Sequence, residues 1–345
     1  MKILFVYRHL SSFVKNDLCC LSNRFPVFSL HVSKNLMKTG IRFLVKTPKV
    51  DIIFVWLAGY QAVLSVLFAK LFRKKIVVVA GGYDAADEPE IGYGAFRTWY
   101  RAAMAIFVFK KADLVLAVSE HTRKELLQRF NRDIHMVYNG VDTNIFVPKG
   151  KKERIVLTVA AVNASNLKKK GLETFVQAAS YLPNVQFVLA GSYDASIENL
   201  RGLAGRNIVF TGRLPFAELL KLYQRSKVYV QASFHESFGV ALAEGMACEC
   251  VPIITRRAAL PEVVGGCGYY VNYGDAKELA VTISKAIQDK EKGTKARARV
   301  IRLFTLGSRQ KQLEKLLSDE VLLKCHFTSQ NLNSSDLTTH VNGGK

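Results

Sequence analysis

Acidic residues are scarce in this chain, metal-binding signatures are missing, and no apolar run is long enough to span a bilayer unbroken. Asp and Glu number 28 against 49 Lys and Arg, a formal net charge of +21 over 345 residues. That excess points to an anionic partner: a phosphorylated ligand, a lipid surface or nucleic acid. No Asp-x-Asp pair occurs, which removes the simplest paired-carboxylate holder for a divalent cation. The six cysteines (Cys19, Cys20, Cys248, Cys250, Cys267, Cys325) form no C-x-x-C, and the seven histidines are scattered with no H-E-x-x-H, so no zinc or other metal is expected. Cysteines lying in apolar segments read as small buried thiols, and a reduced, cytoplasmic setting follows. No basic stripe interleaved with stacking aromatics is present, so nucleic acid is not an expected partner.

Ile52 to Ala69 carries no charge. It is punctuated, however: Ile52 to Leu57 is β-branched and aromatic, a Gly follows at position 59, and the apolar helix after it ends in Arg73, Lys74 and Lys75. With Ile76 to Ala80 next, the segment reads as strand, helix, strand, the unit of a parallel sheet. Met1 to Tyr7 reads as a first strand, since its apolar run is too short for a leader and no small-residue cleavage site follows. A chain of this length exceeds one ordinary core, so two domains are expected. The boundary is placed near Pro148 to Lys152, giving a first domain over 1–150 and a second over 151–300. A basic amphipathic helix is expected over Ala296 to Leu317, and the polar tail 318–345 is expected to be disordered.

The stretch that carries chemistry is Val228 to Thr255, an apolar strand at each end with a loop and an Ala-, Leu- and Met-rich helix between. The helix is expected to begin near Gly239. Its unpaired N–H groups and partial positive charge suit a phosphate, and two carboxylates, Glu236 in the loop and Glu244 one turn in, bracket that start. Acids beside a phosphate make sense if they bind hydroxyls, because an ionised carboxylate accepts from both members of a diol. A nucleotide sugar uses every part of this element. The plain alternative is a pair of solvated carboxylates near a helix start.

The segment HESFGVALAEGMA resembles the Glu, seven residues, Glu motif of the retaining glycosyltransferases of family 4. Its flanks resemble that family too, with FTGRLPFAELLKLYQRSKVYVQAS before and IITRRAALPEVVGGCGYYVNYGD after. The likeness covers Ala112 to Leu317, is strongest from Lys169 to Asp275, and is weak over the first hundred residues. It implies a GT-B fold, two doubly wound parallel-sheet (Rossmann-like) domains facing across a cleft, with residues 301–317 as a helix returning to the first domain. The implied reaction is metal-independent and retaining: transfer of a sugar from a nucleotide diphosphate sugar, UDP- or GDP-linked, to a glycan or polyprenyl/lipid-linked acceptor, with no cofactor beyond the co-substrate. The resemblance places Glu244 on ribose hydroxyls and Glu236 on the transferred sugar or phosphate. It sets Lys170 and the N–H groups of Phe238, Gly239 and Val240 on the diphosphate, and the turn Gly212, Arg213, Leu214 at the base. Asp84, after the strand Ile76 to Ala80, is the candidate contact to the transferred sugar, with a turn-forming Asp as its alternative.

Two departures stand out. The family's arginine after the strand Ile155 to Ala160 is missing, since Ala160, Ala161, Val162 and Asn163 stand there, and Glu249 replaces a usual glycine. Two other classes share features with this reading: another GT-B enzyme, such as an epimerase or phosphorylase, and a non-enzymatic nucleic-acid-binding protein. Finally, no acid lies between Asp17 and Asp51, while Lys34, Lys38, Arg42 and Lys46 recur every fourth position among Leu36, Met37, Ile41, Phe43 and Leu44. That basic amphipathic pattern fits an anionic membrane surface.

Overall fold

The computed structural model describes residues 1–332, with side chains through Asp319. Six strands, β1 (Ile3–Tyr7), β2 (Val27–His31), β3 (Ile52–Trp56), β4 (Lys75–Ala80), β5 (Leu114–Ala117) and β6 (His135–Met136), form a sheet in the order β2-β1-β3-β4-β5-β6. Six more, β7 (Glu153–Val159), β8 (Gln186–Ala190), β9 (Ile208–Gly212), β10 (Ser226–Gln231), β11 (Val251–Thr255) and β12 (Tyr269–Val271), form a second in the order β12-β11-β10-β7-β8-β9. Every ladder within the two sheets is parallel. Near-continuous Val, Ile and Leu in β3, β4 and β11 is what burial on both faces demands. Ligands in such sheets gather at the carboxyl ends of strands where the order reverses. Here those points are the ends of β1 and β3 in one domain and of β7 and β10 in the other.

The uncharged Ile52 to Ala69 stretch resolves into β3 and a helix, Tyr60–Leu71, and among the described residues no helix is long and apolar enough to cross a membrane. The single terminal helix expected over Ala296 to Leu317 is instead two, Lys292–Leu303 and Leu306–Leu332. The break lies where the chain crosses back to the first domain: Val141 N–H donates to Phe304 O (2.8 Å) and Leu306 N–H to Val141 O (3.0 Å), bonds that an unbroken helix would not leave free. The second helix runs past Ser318, where the apolar pattern fades; the tail expectation beyond Leu332 lies outside the described residues. The helix Leu36–Lys46 starts after Lys34, with Asn35 as its cap accepting from Lys38 N–H, so Lys34 sits outside the helical face.

Glu249 has φ +65°, one residue beyond the helix Val240–Ala247 and its cap Cys248. Its N–H donates to Met246 O (3.0 Å) and that of Cys250 to Gly245 O (2.9 Å), a left-handed helix stop that normally takes glycine. A side chain held left-handed costs roughly 1–2 kcal/mol, offset in part by the greater unfolded-state freedom of glycine. Glu249→Gly is therefore expected to raise stability by about 0.5–1 kcal/mol. Chemical denaturation checks this, and a destabilised variant would show that the Glu249 side chain holds something the backbone alone does not.

Candidate active site between the two domains

A cavity of about 750 Å³ opens at the carboxyl ends of β7 and β10. The loop after β10 brings Glu236 to its wall, and the N-terminus of the Val240–Ala247 helix follows, with Gly239 as its cap residue and the leading N–H groups lacking intrahelical acceptors. Phe238, Gly239 and Val240 line the cavity, and Glu244 enters it one turn in. The Glu236 carboxylate is ion-paired with the Lys170 ammonium and accepts from Gln231 Nε2 (3.0 Å). Gln231 is itself buried and donates to Ser233 Oγ (2.7 Å), so Glu236 is aimed from beneath by a fixed amide.

Lys170 ends the short helix Ala164–Lys169, and Gly171 turns the chain into the helix Leu172–Ser180. Gly171 has φ +61°, and a Cβ there would strike the Ala232 carbonyl, so only glycine lets the lysine sit this close to the β10 loop. Lys168 is exposed away from the cavity. Lys169 packs its ammonium over the Tyr93 ring at 4.7 Å, and burial, helped by the neighbouring Lys170 charge, brings its pKa down to about 8. Of the expected base-recognition turn, Arg213 lines the cavity, while Gly212 and Leu214 are not part of its lining. At the site of the missing arginine the wall is made by Ala160 and Ala161, leaving Lys170 and Arg213 as its two cationic side chains.

Glu244 accepts from Tyr223 Oη (2.9 Å), and apolar walls around its carboxyl push the pKa up to about 7. Burial thus favours the neutral form of the carboxyl, against the ionised acceptor expected at this position. Asp84 is also repositioned. Its carboxylate is buried and accepts from Ala58 N–H (2.8 Å) and Gly82 N–H (3.0 Å), tying the β3 and β4 exits together, with burial raising its pKa to about 6. The bond from Gly82 is local, as in the turn-forming alternative, and the bond from Ala58 is not. Asp84 borders a separate cavity of about 640 Å³ in the first domain, with Arg8, Tyr60, Tyr83, Tyr100 and Arg101. Trp56, Ser11 and Phe13 line both cavities, so the two are contiguous.

The domains meet closely beside this site. A Cβ at Gly82 of the first domain would collide with Ser237 of the second. Glu262 of the second domain accepts from Glu120 N–H and His121 N–H (2.9 Å each), capping the helix Glu120–Leu127 of the first. His235 Nδ1 bonds Glu88 Oε1 across the interface (3.0 Å). Sequence spacing gave no sign of a further grouping: His121, Glu125 and His235 converge, although the histidines are scattered along the chain. Burial lowers the His121 pKa to about 4 and raises that of Glu125 to about 8. The only local signal was the i, i+4 spacing of His121 and Glu125 on one helix.

Residues 153–289 match the family model for glycosyl transferases group 1, and residues 21–145 that for glycosyltransferase family 4. A serotype-specific mannosyltransferase, WbdA of Escherichia coli, is 26% identical over 230 residues, 59% of this chain and 28% of the relative. The chain thus spans little more than a quarter of that protein. The N-acetyl-alpha-D-glucosaminyl L-malate synthase of Bacillus anthracis is 26% identical over 325 residues, 86% of this chain and 82% of the relative. In fold, the chain is similar to Anabaena Alr3699/HepE, solved in complex with UDP and glucose, with a TM-score of 0.77, 18% identity, and coverage of 92% of this chain and 100% of that one. Two facing parallel sheets of this kind are the GT-B architecture, and with one family model on each of them the chain belongs to the group 1 glycosyltransferases of family 4.

Proposed function

We propose that this protein transfers a sugar, with retention of configuration and without a catalytic metal, from a nucleotide diphosphate sugar held by the second domain to a lipid-linked acceptor entering the first. The observation that carries this reading is the shared cavity wall of Lys170, Glu236, the leading amides of the Val240–Ala247 helix and Glu244. Relatives with sugar-transferase names, and a fold neighbour solved with UDP and glucose, support the donor class. A retaining hydrolase needs two carboxylates about 5 Å apart across the scissile bond. Here Glu236 and Glu244 both belong to the donor side, and the Asp84 carboxylate is committed to backbone amides. The chemistry then rests on stabilising the departing diphosphate, with Lys170, Arg213 and the helix amides around it. The acceptor hydroxyl attacks from the same face as the leaving group. Glu244 holds the ribose hydroxyls, Glu236 orients the sugar, and the turn from Gly212 to Leu214 meets the base through Arg213, its member on the cavity wall.

A thermal-shift panel of intact UDP-, GDP- and ADP-sugars tests the donor, since a ligand at about 100 times its Kd stabilises by about 2.7 kcal/mol. With the responding donor, Glu244→Ala is expected to bind about 10- to 150-fold more weakly, from the loss of about 1.5–3 kcal/mol of charge-assisted bonding. Only the ionised carboxyl accepts both hydroxyls. Wild-type affinity should therefore rise as the pH passes upward through the Glu244 value of about 7, while Glu244→Gln stays flat. A sugar nucleotide has no terminal phosphate titrating there, so the slope belongs to the protein. Unchanged affinity in a folded Glu244→Ala would sink the assignment.

The acceptor side of the proposal rests on the helix Leu36–Lys46. It turns Phe43 inward onto Phe68 (rings stacked at 4.8 Å) and leaves Leu36, Met37, Ile41, Leu44 and Val45 exposed, with Met37 at 74%. Leu67 and Leu71 of the adjacent helix extend the apolar face, and Lys34, Lys38 and Arg42 stand around it. Each basic residue near an anionic leaflet contributes about 1 kcal/mol, so changing these three to Gln should weaken vesicle binding about 100-fold. Co-sedimentation with phosphatidylglycerol vesicles at low and high salt reads this directly. Wild-type protein staying in the supernatant at low salt would point to a soluble glycan acceptor instead.

A further inference from the structure

We infer that His121, Glu125 and His235 form a binding site for a transition-metal dication, zinc by ligand type, which staples the two domains together beside the transfer site. His121 and Glu125 lie one turn apart on the helix Glu120–Leu127 of the first domain, and His235 lies on the loop after β10 of the second. One ligand atom from each falls within 4.8 Å of the others, and His121 Nε2 is 3.7 Å from Glu125 Oε1. His235 is 1% exposed.

The second observation is that His121 Nε2, Glu125 Oε2 and His235 Nε2 are all buried without a hydrogen-bond partner among the described residues. Three orphaned polar atoms at one point is unusual, because buried polar groups are nearly always satisfied. The 3.7 Å between His121 Nε2 and Glu125 Oε1 is too long for a hydrogen bond. One ion at the centre satisfies all three. Two imidazole nitrogens and a carboxylate are a known three-residue zinc set that leaves a fourth position open, with bonds of about 2.0–2.2 Å. Tetrahedral ligand atoms then stand about 3.4 Å apart, so from separations of up to 4.8 Å the cluster needs to tighten by up to about 1.4 Å on binding. Imidazole donors disfavour magnesium and calcium.

The outer shell is in place as well. Glu88 Oε1 lies 3.0 Å from His235 Nδ1, so that nitrogen carries the proton and Nε2 keeps its lone pair for a metal. A carboxylate behind a ligating histidine is the usual device for fixing its tautomer and orientation. The charges nearby are Asp84, Glu88, Glu125 and Glu236 of one sign and Lys124, Arg129, Lys169 and Lys170 of the other, with Lys170 already paired to Glu236. Because the ligands come from both domains, an ion here holds the cleft at its present closure. His235 directly precedes Glu236, so the staple bears on the donor wall.

The test uses the full chain, stripped with a chelator, loaded with Zn²⁺ and desalted, with metal content measured by mass spectrometry and no sugar donor present. The expected result is one zinc per chain in wild type, a higher melting temperature with zinc than without, and loss of both in His121→Ala and in His235→Ala. Glu88→Gln should retain the site with affinity about 10- to 100-fold weaker. His135→Ala, outside the cluster, should bind as wild type does. Co²⁺ loading adds a second readout, since a four-coordinate site gives intense visible absorption that the His235→Ala variant should lack. Should the alanine variants fail to fold, isosteric Glu125→Gln carries the test through its loss of zinc. Absence of zinc from wild type, or equal zinc in wild type and Glu125→Gln, overturns the inference.

Discussion

Lys170→Ala is expected to slow sugar transfer by about 100- to 1000-fold, the range for removing one group that meets charge developing in a transition state. Donor affinity should change far less. The diphosphate is bound in the ground state by several groups together, but the charge that grows on the departing oxygen is new, and a fixed ammonium at that point acts mainly on turnover. Lys170 is held for this by Gly171 behind it and Glu236 beside it. Its removal frees Glu236 without stranding it, because Gln231 still donates to that carboxylate. Lys168→Ala is the matched control: its side chain is exposed, and its carbonyl accepts from Tyr273 Oη whatever the side chain. Single-turnover rates and donor Kd values for both variants decide the matter. Equal effects would mean that the three lysines act as a diffuse basic patch.

The parts of this protein that were legible in its sequence are those dictated by period and punctuation. β-Branched runs separated by helices gave the parallel sheets, and Gly59 was enough to split an uncharged stretch into β3 and a helix. The loop-helix element with Glu236 and Glu244 was readable because its chemistry is local: both carboxylates lie within eight residues of one helix start. What the sequence hid depends on contacts across the chain. Asp84 looks the same on paper whether it meets a sugar or ties two loops, and only the position of Ala58 N–H separates the two. The His121, Glu125 and His235 grouping needs the closed arrangement of two domains to exist at all. The break at Phe304 and Thr305 is set by two bonds with Val141, far away in sequence, and Thr305 Oγ1 caps the next helix by accepting from Ser308 N–H (3.0 Å).

Arg309→Met is expected to cost about 3–5 kcal/mol of stability, because it leaves the Asp17 carboxylate buried without its partner. Both side chains are essentially inaccessible, Arg309 at 2% and Asp17 at 0%. The guanidinium pairs with both Asp17 oxygens and also donates to Val137 O (2.7 Å) and Tyr138 O (2.8 Å), while Trp56 Nε1 donates to Asp17 Oδ2 (3.0 Å). The network pins the Leu306–Leu332 helix onto the first domain, beneath the tryptophan that borders both cavities. For a unit of this size the melting temperature should fall by roughly 6–20 °C. Desolvating two charges consumes most of what their attraction returns, so the double variant Asp17→Leu with Arg309→Met should recover a large part of the loss. Denaturant titration followed by tryptophan fluorescence measures all three proteins. A single variant within about 1 kcal/mol of wild type would reduce the pair to an ordinary surface salt bridge in energy. A double variant no more stable than the single one would mean that the stability lies in the backbone and Trp56 bonds, which the double variant also loses, more than in the buried charge itself.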